Sequence, residues 1–190
     1  VGLVVIDSDD RIIPTNAFDI WLLQKPSDKW QALAAPWLIT SRVAGLVGRA
    51  EAKSVAALGP ELDRINAVLI RKTTLQLISD IEGAPIIDSL VNSISWHLPS
   101  KRTSSLRDEV VRWTVREAEW LGITGQGAMS VYGRAFLAGD DLEIIDRDLP
   151  TAVDHILIQS DNTAIAPGPL VHEIAQDLAM IAEVESRGGA

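Results

Sequence analysis

The residues best suited to bind a charged ligand are basic and lie between positions 101 and 134. This stretch carries six lysines and arginines against four acids, a net charge of +2, whereas the whole 190-residue chain carries −9. Guanidinium and ammonium groups bind phosphates, and arginine also reads guanine edges in the major groove. A basic stretch in an acidic chain therefore indicates one place for a DNA contact. The six candidate DNA-binding residues are Lys101, Arg102, Arg107, Arg112, Arg116 and Arg134.

Motifs that would indicate an enzyme are missing or incomplete. There is no phosphate-binding G-x-x-x-x-G-K-[ST] loop and no G-x-S-x-G nucleophile elbow. Gly125 and Gly127 lack the third glycine of a dinucleotide-binding fingerprint, because Ser130 stands in its place. His172 and Glu173 lack the second histidine of a zinc-protease motif. We therefore expect no enzyme activity and no catalytic residues.

A metal site or a bound cofactor is not expected either. Cysteine is absent, and no two of the three histidines have the spacing of metal ligands on a helix. The dense acidic segment at residues 140–148 lacks the central glycine and terminal glutamate of a calcium-binding loop. We interpret this segment as a solvated acidic connector. Its acids are Asp140, Asp141, Glu143, Asp146 and Asp148.

The pattern of apolar and turn-forming residues divides the chain into four parts. Residues 1–14 predict a β-hairpin, and residues 15–59 predict a helical connector. Residues 60–139 predict a winged-helix-like domain. Residues 150–190 predict a β-hairpin followed by a helix. The expected fold class is mostly α with small β elements, an α+β fold.

Capping residues and prolines set the expected helix boundaries. Ser27 is expected to cap a helix that runs to residue 38, and Pro60 to open a long amphipathic helix over residues 60–83. A further helix is expected over residues 170–185. Its predicted inward residues are Ile174, Leu178, Ile181 and Ala182.

The element order between residues 60 and 138 is that of a winged helix-turn-helix. A helix, a short extended piece at 85–87, two more helices and a small hairpin follow one another. In that fold the third helix enters the DNA major groove and the hairpin touches the backbone. Here the third helix is expected at Ser105–Leu121.

Arg112 and Arg116 lie on the outward stripe of this third helix, where they could reach phosphates or guanine edges. The alternative is that both arginines are neutralised within the helix. Asp108 stands four residues before Arg112, and Glu119 stands three residues after Arg116, which are the spacings of intrahelical ion pairs.

The chain has six tryptophans, and most of them fall in apolar helix stripes. Core packing is the favoured interpretation, and stacking on single-stranded bases is the alternative. Trp113 is expected on an inner stripe with Leu106, Val110 and Leu121. The six are Trp21, Trp30, Trp37, Trp96, Trp113 and Trp120.

Two phrases near the end of the chain carry a family resemblance. Residues 153–163, VDHILIQSDNT, and residues 178–186, LAMIAEVES, resemble the N-terminal domain of XPB-type helicases. There an apolar strand runs into a Gln-Ser-Asp-x-Thr turn, and a later helix ends in Ala-Glu-x-Glu. Stretches at 14–22, 113–122 and 164–170 are similar to a narrower group, the actinobacterial helicase-associated proteins that carry this domain.

The resemblance implies a large DNA-associated protein with winged-helix segments, in which the XPB-like domain lies beside the motor. It brings no catalytic residues to this chain. Residues 150–190 are then the start of a truncated β-α domain that continues in family members. Since the chain begins at Val1, we expect it to be a piece of a longer protein.

The expected function is that of a non-enzymatic accessory or DNA-binding-like module of an XPB-helicase-related bacterial protein. The alternative is a protein–protein interaction scaffold that docks a helicase or nuclease partner without touching DNA. No apolar run approaches the roughly 20 residues that span a bilayer, so we expect a cytoplasmic location and no membrane partner. The salt dependence of binding distinguishes the two functions, because phosphate contacts weaken steeply as salt increases and apolar docking does not.

Overall fold

A computed structural model of the chain describes residues 2–9, 11–47, 55–99 and 105–186. It opens with an antiparallel hairpin of β1 (Val4–Ile6) and β2 (Ile12–Pro14). The carboxylate of Asp7 holds the turn by accepting hydrogen bonds from the backbone amides of Asp9 and Arg11, both at 2.9 Å. The predicted N-terminal hairpin is therefore confirmed.

Helices α1 (Asn16–Leu22) and α2 (Pro26–Ile39) follow the hairpin. A proline suits the first turn of α2 because the amide it lacks would have no partner there. Contrary to expectation, Ser27 lies inside α2 and does not cap it. Its amide and its hydroxyl both donate to the carboxylate of Asp146, at 2.7 and 2.6 Å. An acid distant in sequence thus takes the place of a local cap.

The long helix expected over residues 60–83 is interrupted near its start. Pro60–Leu62 forms a 3₁₀ turn, and α3 begins later and spans Ala67–Ser79. Between them the backbone pairs with the segment after α2, where the amide of Arg64 donates to the carbonyl of Ser41 at 2.8 Å. That amide cannot make a helical hydrogen bond as well, which explains the late start of α3.

The next elements are α4, α5, a small hairpin and α6. The predicted hairpin is confirmed, but the extended piece at 85–87 is not a strand. Ile86 is extended only as the N-cap of α4, and Ile87 is already helical. The winged-helix topology therefore stays a prediction that lacks its short strand. The bounds are α4 (Ile87–His97), α5 (Ser105–Trp120), β3 (Thr124–Gly125), β4 (Ala128–Met129) and α6 (Val131–Ala138).

The core lies where α3, α4 and α5 pack against one another, with the β3–β4 hairpin closing one side. Gly133 of α6 sits directly on this core, since a Cβ there would lie 2.1 Å from the carbonyl oxygen of Ile123. The described chain is mostly helical, with small two-stranded sheets, so the α+β prediction is confirmed. Fully buried core residues include Leu75, Ile78, Ile94, Val111, Ala118 and Ile123.

The acidic segment at residues 140–148 is not a solvated connector throughout. Its second half forms α7 (Glu143–Asp148), which packs against α2. Leu142 and Ile145 are buried there. Apolar residues between the acids therefore fold this segment onto the body of the molecule.

The last part forms β5 (Leu157–Ile158), β6 (Ala164–Ile165) and α8 (His172–Ile181). The predicted hairpin is confirmed. Ile181 was expected to face inward but is 83% exposed. Of the described residues after Leu149, none is buried. None of the helices in the described part of the chain combines the length and apolar character that crossing a bilayer requires.

Candidate functional site

Helix α5 carries three of the six candidate basic residues on a helix whose other side enters the core. Arg112 and Arg116 are both exposed, as their place on the outward stripe predicts. Leu106 and Trp113 are predicted on the inner stripe, but Leu106 is exposed and Trp113 is half-buried. The buried residues of α5 are Val110, Val111, Thr114, Glu117 and Ala118.

Arg112 is paired across helices and not within α5. Its Nη2 lies 2.6 Å from Oδ1 of Asp88 in the first turn of α4. Asp108, its partner in the alternative interpretation, is instead engaged by Arg107 at 3.3 Å. The alternative of an Asp108–Arg112 pair within the helix is therefore wrong. Because Arg112 and Asp88 are both exposed, their pair contributes little to stability and a phosphate could compete for the guanidinium.

Arg116 stacks on an aromatic ring. Its guanidinium carbon lies 5.2 Å from the centre of the Trp113 ring, a cation–π distance. The alternative of an Arg116–Glu119 pair is also wrong, because Glu119 turns to the β3–β4 hairpin. There its carboxylate accepts from the backbone amides of Gln126 at 2.6 Å and Gly127 at 3.1 Å.

Arg107 and Arg134 serve the fold. Arg107 donates to the hydroxyl of Ser95 at 2.6 Å and to the carbonyl of Leu98 at 3.1 Å. Arg134 donates to the carbonyl of Ser79 at the end of α3, at 2.6 Å. Both guanidiniums thus satisfy groups near helix ends. The remaining two candidates lie outside the described residues: Lys101 and Arg102.

The tryptophans divide between interior and surface. Trp30 and Trp37 pack against the core, whereas Trp96 is 87% exposed and Trp120 is 68% exposed. The core prediction is therefore wrong for the last two. The ring centres of Trp113 and Trp120 lie 6.4 Å apart. We call Trp113, Arg116 and Trp120 the aromatic–arginine patch.

A buried ion pair joins α3 and α5. Arg71 is 1% exposed and Glu117 is 5% exposed, and Nη2 of Arg71 lies 3.9 Å from Oε2 of Glu117. The same carboxylate oxygen accepts the indole N–H of Trp37 at 2.6 Å. Arg71 also donates to the carbonyls of Thr40 at 2.7 Å and Arg42 at 3.1 Å. The pair therefore fixes the segment after α2 to the core.

The burial of this pair shifts the pKa of each member toward its neutral form. Removal from water raises the pKa of Glu117, and the Trp37 hydrogen bond, the Arg71 charge and the Ala44 backbone amide oppose that rise. The same removal lowers the pKa of Arg71, against the opposing charge of Glu117. Oε1 of Glu117 and Nε of Arg71 have no hydrogen-bond partner among the described residues.

This pair is not among the residues predicted from the sequence, although the pattern carries a signal for each member. Arg71 falls between Ile70 and Thr74 on the apolar stripe of α3, and Glu117 follows Thr114 at helical spacing on α5. A charge on each of two inward stripes is the signature of a buried pair. Among the described residues, no group of three or more acids and histidines could hold a metal ion.

Comparison with known proteins identifies no relative. No family model, no curated protein and no solved structure matches the chain.

Proposed function

We propose that this chain is a non-enzymatic interaction module that docks another polypeptide on its N-terminal hairpin. The observation that carries the proposal is the exposure of every residue of β1 and β2. Five of the six are valine or isoleucine. Their exposed fractions run from 38% at Ile6 to 60% at Ile12.

Apolar side chains occupy both faces of the hairpin. Val5 lies opposite Ile13, and Ile6 lies opposite Ile12. Because successive residues of a strand point to opposite faces, these two pairs lie on different faces. Strands that are apolar on both faces are typical of strands covered on both sides. The hairpin thus has the composition of an interior strand pair and the exposure of a surface one.

The edges of the hairpin point to the kind of partner. In the described residues, β1 and β2 pair only with each other. An isolated two-stranded sheet is marginal in water and gains stability when a further strand or a helix covers it. An unpaired edge accepts an extended segment through main-chain hydrogen bonds. The partner we propose therefore contributes an extended apolar segment.

Helix α1 enlarges the apolar surface beside β2. Ile20 is 64% exposed and Leu23, just after the helix, is 69% exposed. The hydroxyl of Thr15 donates to the carbonyl of Gly2 at 2.7 Å and ties the start of α1 to the hairpin. The family resemblance supports a helicase or a nuclease as the partner protein, beside which the chain acts as an accessory.

Site-specific photo-cross-linking in the host cell tests this proposal. A benzophenone amino acid at Ile12 should give a discrete cross-linked product that mass spectrometry identifies as one protein. The same amino acid at Gln176, exposed on α8, is the control and should give none. Val4→Lys adds a charge to the face that Ile12 occupies and should remove the product. Equal yields at both positions, or no product at Ile12, would contradict the proposal.

Single-stranded DNA is a second candidate ligand, favoured by the aromatic–arginine patch. Exposed aromatic rings beside a cation are the features on which single-stranded bases stack. Trp120 provides the exposed ring and Arg116 the cation, whereas the acidic chain as a whole repels a duplex. Fluorescence anisotropy with a labelled oligothymidine tests this ligand. Loss of binding in Trp120→Ala, with binding retained in Trp96→Ala, would support it.

A further inference from the structure

A cavity of about 430 Å³ opens between α2, the end of α5 and described residues of the ranges 40–47 and 57–62. Small-molecule sites in proteins typically measure about 300–1,000 Å³ and are mostly apolar with a few polar groups. This cavity lies apart from the β1–β2 hairpin, so it does not depend on the docking function. Its apolar lining includes Leu33, Trp37, Ala44, Leu62, Trp120 and Leu121.

The carboxylate of Glu117 is the acidic group on the cavity wall. Its Oε2 is occupied by the indole N–H of Trp37, but Oε1 has no hydrogen-bond partner among the described residues. Arg71 does not supply one, since its closest nitrogen approaches Oε2, at 3.9 Å. Oε1 is itself buried, so an ammonium group in the cavity reaches it only after a rotation about the last torsion of the side chain, which is broad in glutamate.

The chemistry of the wall selects the ligand. A buried carboxylate oxygen without a partner gains most from a charged N–H donor, because a charge-assisted hydrogen bond is about twice as strong as a neutral one. The apolar walls select a hydrophobic body, and the rings of Trp37 and Trp120 suit an aromatic one. Burial of Glu117 raises its pKa, and an ammonium group beside it would restore the ionised form.

We propose that this cavity binds a small apolar amine, with its ammonium group on Glu117 and its hydrophobic body against Trp37 and Leu33. No covalent step is involved. The competing interpretation is that Glu117 is protonated and the cavity has no preference for amines.

Calorimetric titration of the full chain with two probes of the same shape separates these interpretations. Phenethylamine carries the ammonium group, and 2-phenylethanol replaces it with a hydroxyl. We expect the amine to bind at least about tenfold more tightly, as for one added charge-assisted hydrogen bond. In Glu117→Gln that advantage should disappear while the alcohol binds as before. Glu109→Gln, an exposed acid on the same helix, is the matched control and should keep the advantage.

A second variant tests the location without altering the carboxylate. Ala44 is exposed on the cavity wall, so Ala44→Phe should obstruct the cavity and remove binding of both probes while circular dichroism stays unchanged. This variant remains informative if Glu117→Gln does not fold. The proposal is overturned if the wild-type chain binds neither probe at millimolar concentration, binds both equally, or binds the amine equally well after Ala44→Phe.

Discussion

Arg71 and Glu117 are the two charged side chains most completely removed from water in the described chain. Such a pair usually contributes little net stability, because desolvation offsets the attraction, yet the loss of one partner is costly. Here the guanidinium also holds two backbone carbonyls, those of Thr40 and Arg42. We infer that the pair serves mainly to fix the segment after α2, which forms one wall of the cavity.

The first prediction concerns the hydrogen bond that stabilises Glu117. Trp37→Phe keeps an aromatic ring but removes the indole N–H that donates to Oε2 at 2.6 Å. Oε2 of the buried carboxylate then loses this donor, so the free energy of unfolding should fall by about 1–3 kcal/mol in urea denaturation. Trp96→Phe changes an exposed ring and should stay within about ±0.5 kcal/mol. Equal effects of the two substitutions would show that the buried hydrogen bond is unimportant.

The second prediction is a pH dependence with a defined sign. Burial raises the pKa of Glu117 in the folded state above its ordinary value. Between these two values the folded chain binds a proton that the unfolded chain has lost, so stability falls as pH rises through this window. In Glu117→Gln this contribution is absent. The free energy of unfolding of the wild type, relative to Glu117→Gln, should therefore decrease with rising pH.

The measurement is a set of urea denaturation curves across that pH window, with Glu109→Gln as the reference for an exposed acid on the same helix. Its stability should run parallel to that of the wild type. A difference between wild type and Glu117→Gln that increases with pH would mean that Arg71 outweighs desolvation and that the folded pKa is lowered.

At the scale of elements, Asp146 joins α7 to the start of α2. Its carboxylate accepts both hydrogen bonds from Ser27, and Lys25 lies 3.5 Å away. An acid near the amino end of a helix also interacts favourably with the helix dipole. The hydrogen bonds from Ser27 lower the pKa of Asp146. The tether therefore stabilises the fold at pH values above the ordinary aspartate pKa. This stabilisation is lost as the pH falls through the lowered pKa of Asp146.

The third prediction is that Asp146→Ala releases this tether. Hydrogen exchange followed by mass spectrometry should show faster exchange in α7 and in the first turn of α2, with the α3–α5 core unchanged. Asp140→Ala alters an exposed acid of the same segment and should leave the exchange pattern unchanged. If both substitutions accelerate α7 equally, the general charge of the segment matters more than the bond to Ser27.

Local sequence signals were sufficient for the elements that depend on neighbouring residues. The three hairpins follow from turn residues and short apolar runs, and the structure has all of them. The predicted helix start at Pro60 is wrong because a backbone pairing with Ser41 competes for the amide of Arg64. The capping role of Ser27 failed because the competing acceptor is distant in sequence, at Asp146. Both competitors are tertiary, and a local pattern does not contain them.

The candidate site was predictable to the same extent. Helical periodicity correctly places Arg112 and Arg116 outward on α5. It does not reveal that Asp88 of another helix pairs with Arg112, or that the carbonyl of Ser79 accepts from Arg134. An apolar stripe shows which residues share a face but not where a neighbouring helix ends, so it wrongly places the exposed Trp96 and Trp120 in the core.

For the whole molecule, the buried residues lie in the middle of the described chain, whereas exposed apolar side chains occur along all of it. Buried residues extend from α2 to α7 and include Ile145, whereas the N-terminal hairpin and the unit of β5, β6 and α8 have none. Both of these units expose aliphatic side chains, such as Ile158 at 77% and Met180 at 77%. Contiguous exposed apolar surface is typical of interaction sites. This distribution favours docking of polypeptides over electrostatic binding of nucleic acid.

The last prediction follows from that distribution of charge and apolar surface. Net charge is −9, and three of the four described candidate arginines already bind acceptors within the fold. We therefore expect no binding of duplex DNA in fluorescence anisotropy, even at low salt. The double variant Arg112→Glu and Arg116→Glu should give the same result. Duplex binding by the wild type that weakens with salt, at a log–log slope of about −2 to −3 as for two or three phosphate contacts, and that the double variant abolishes, would instead support the DNA-binding function.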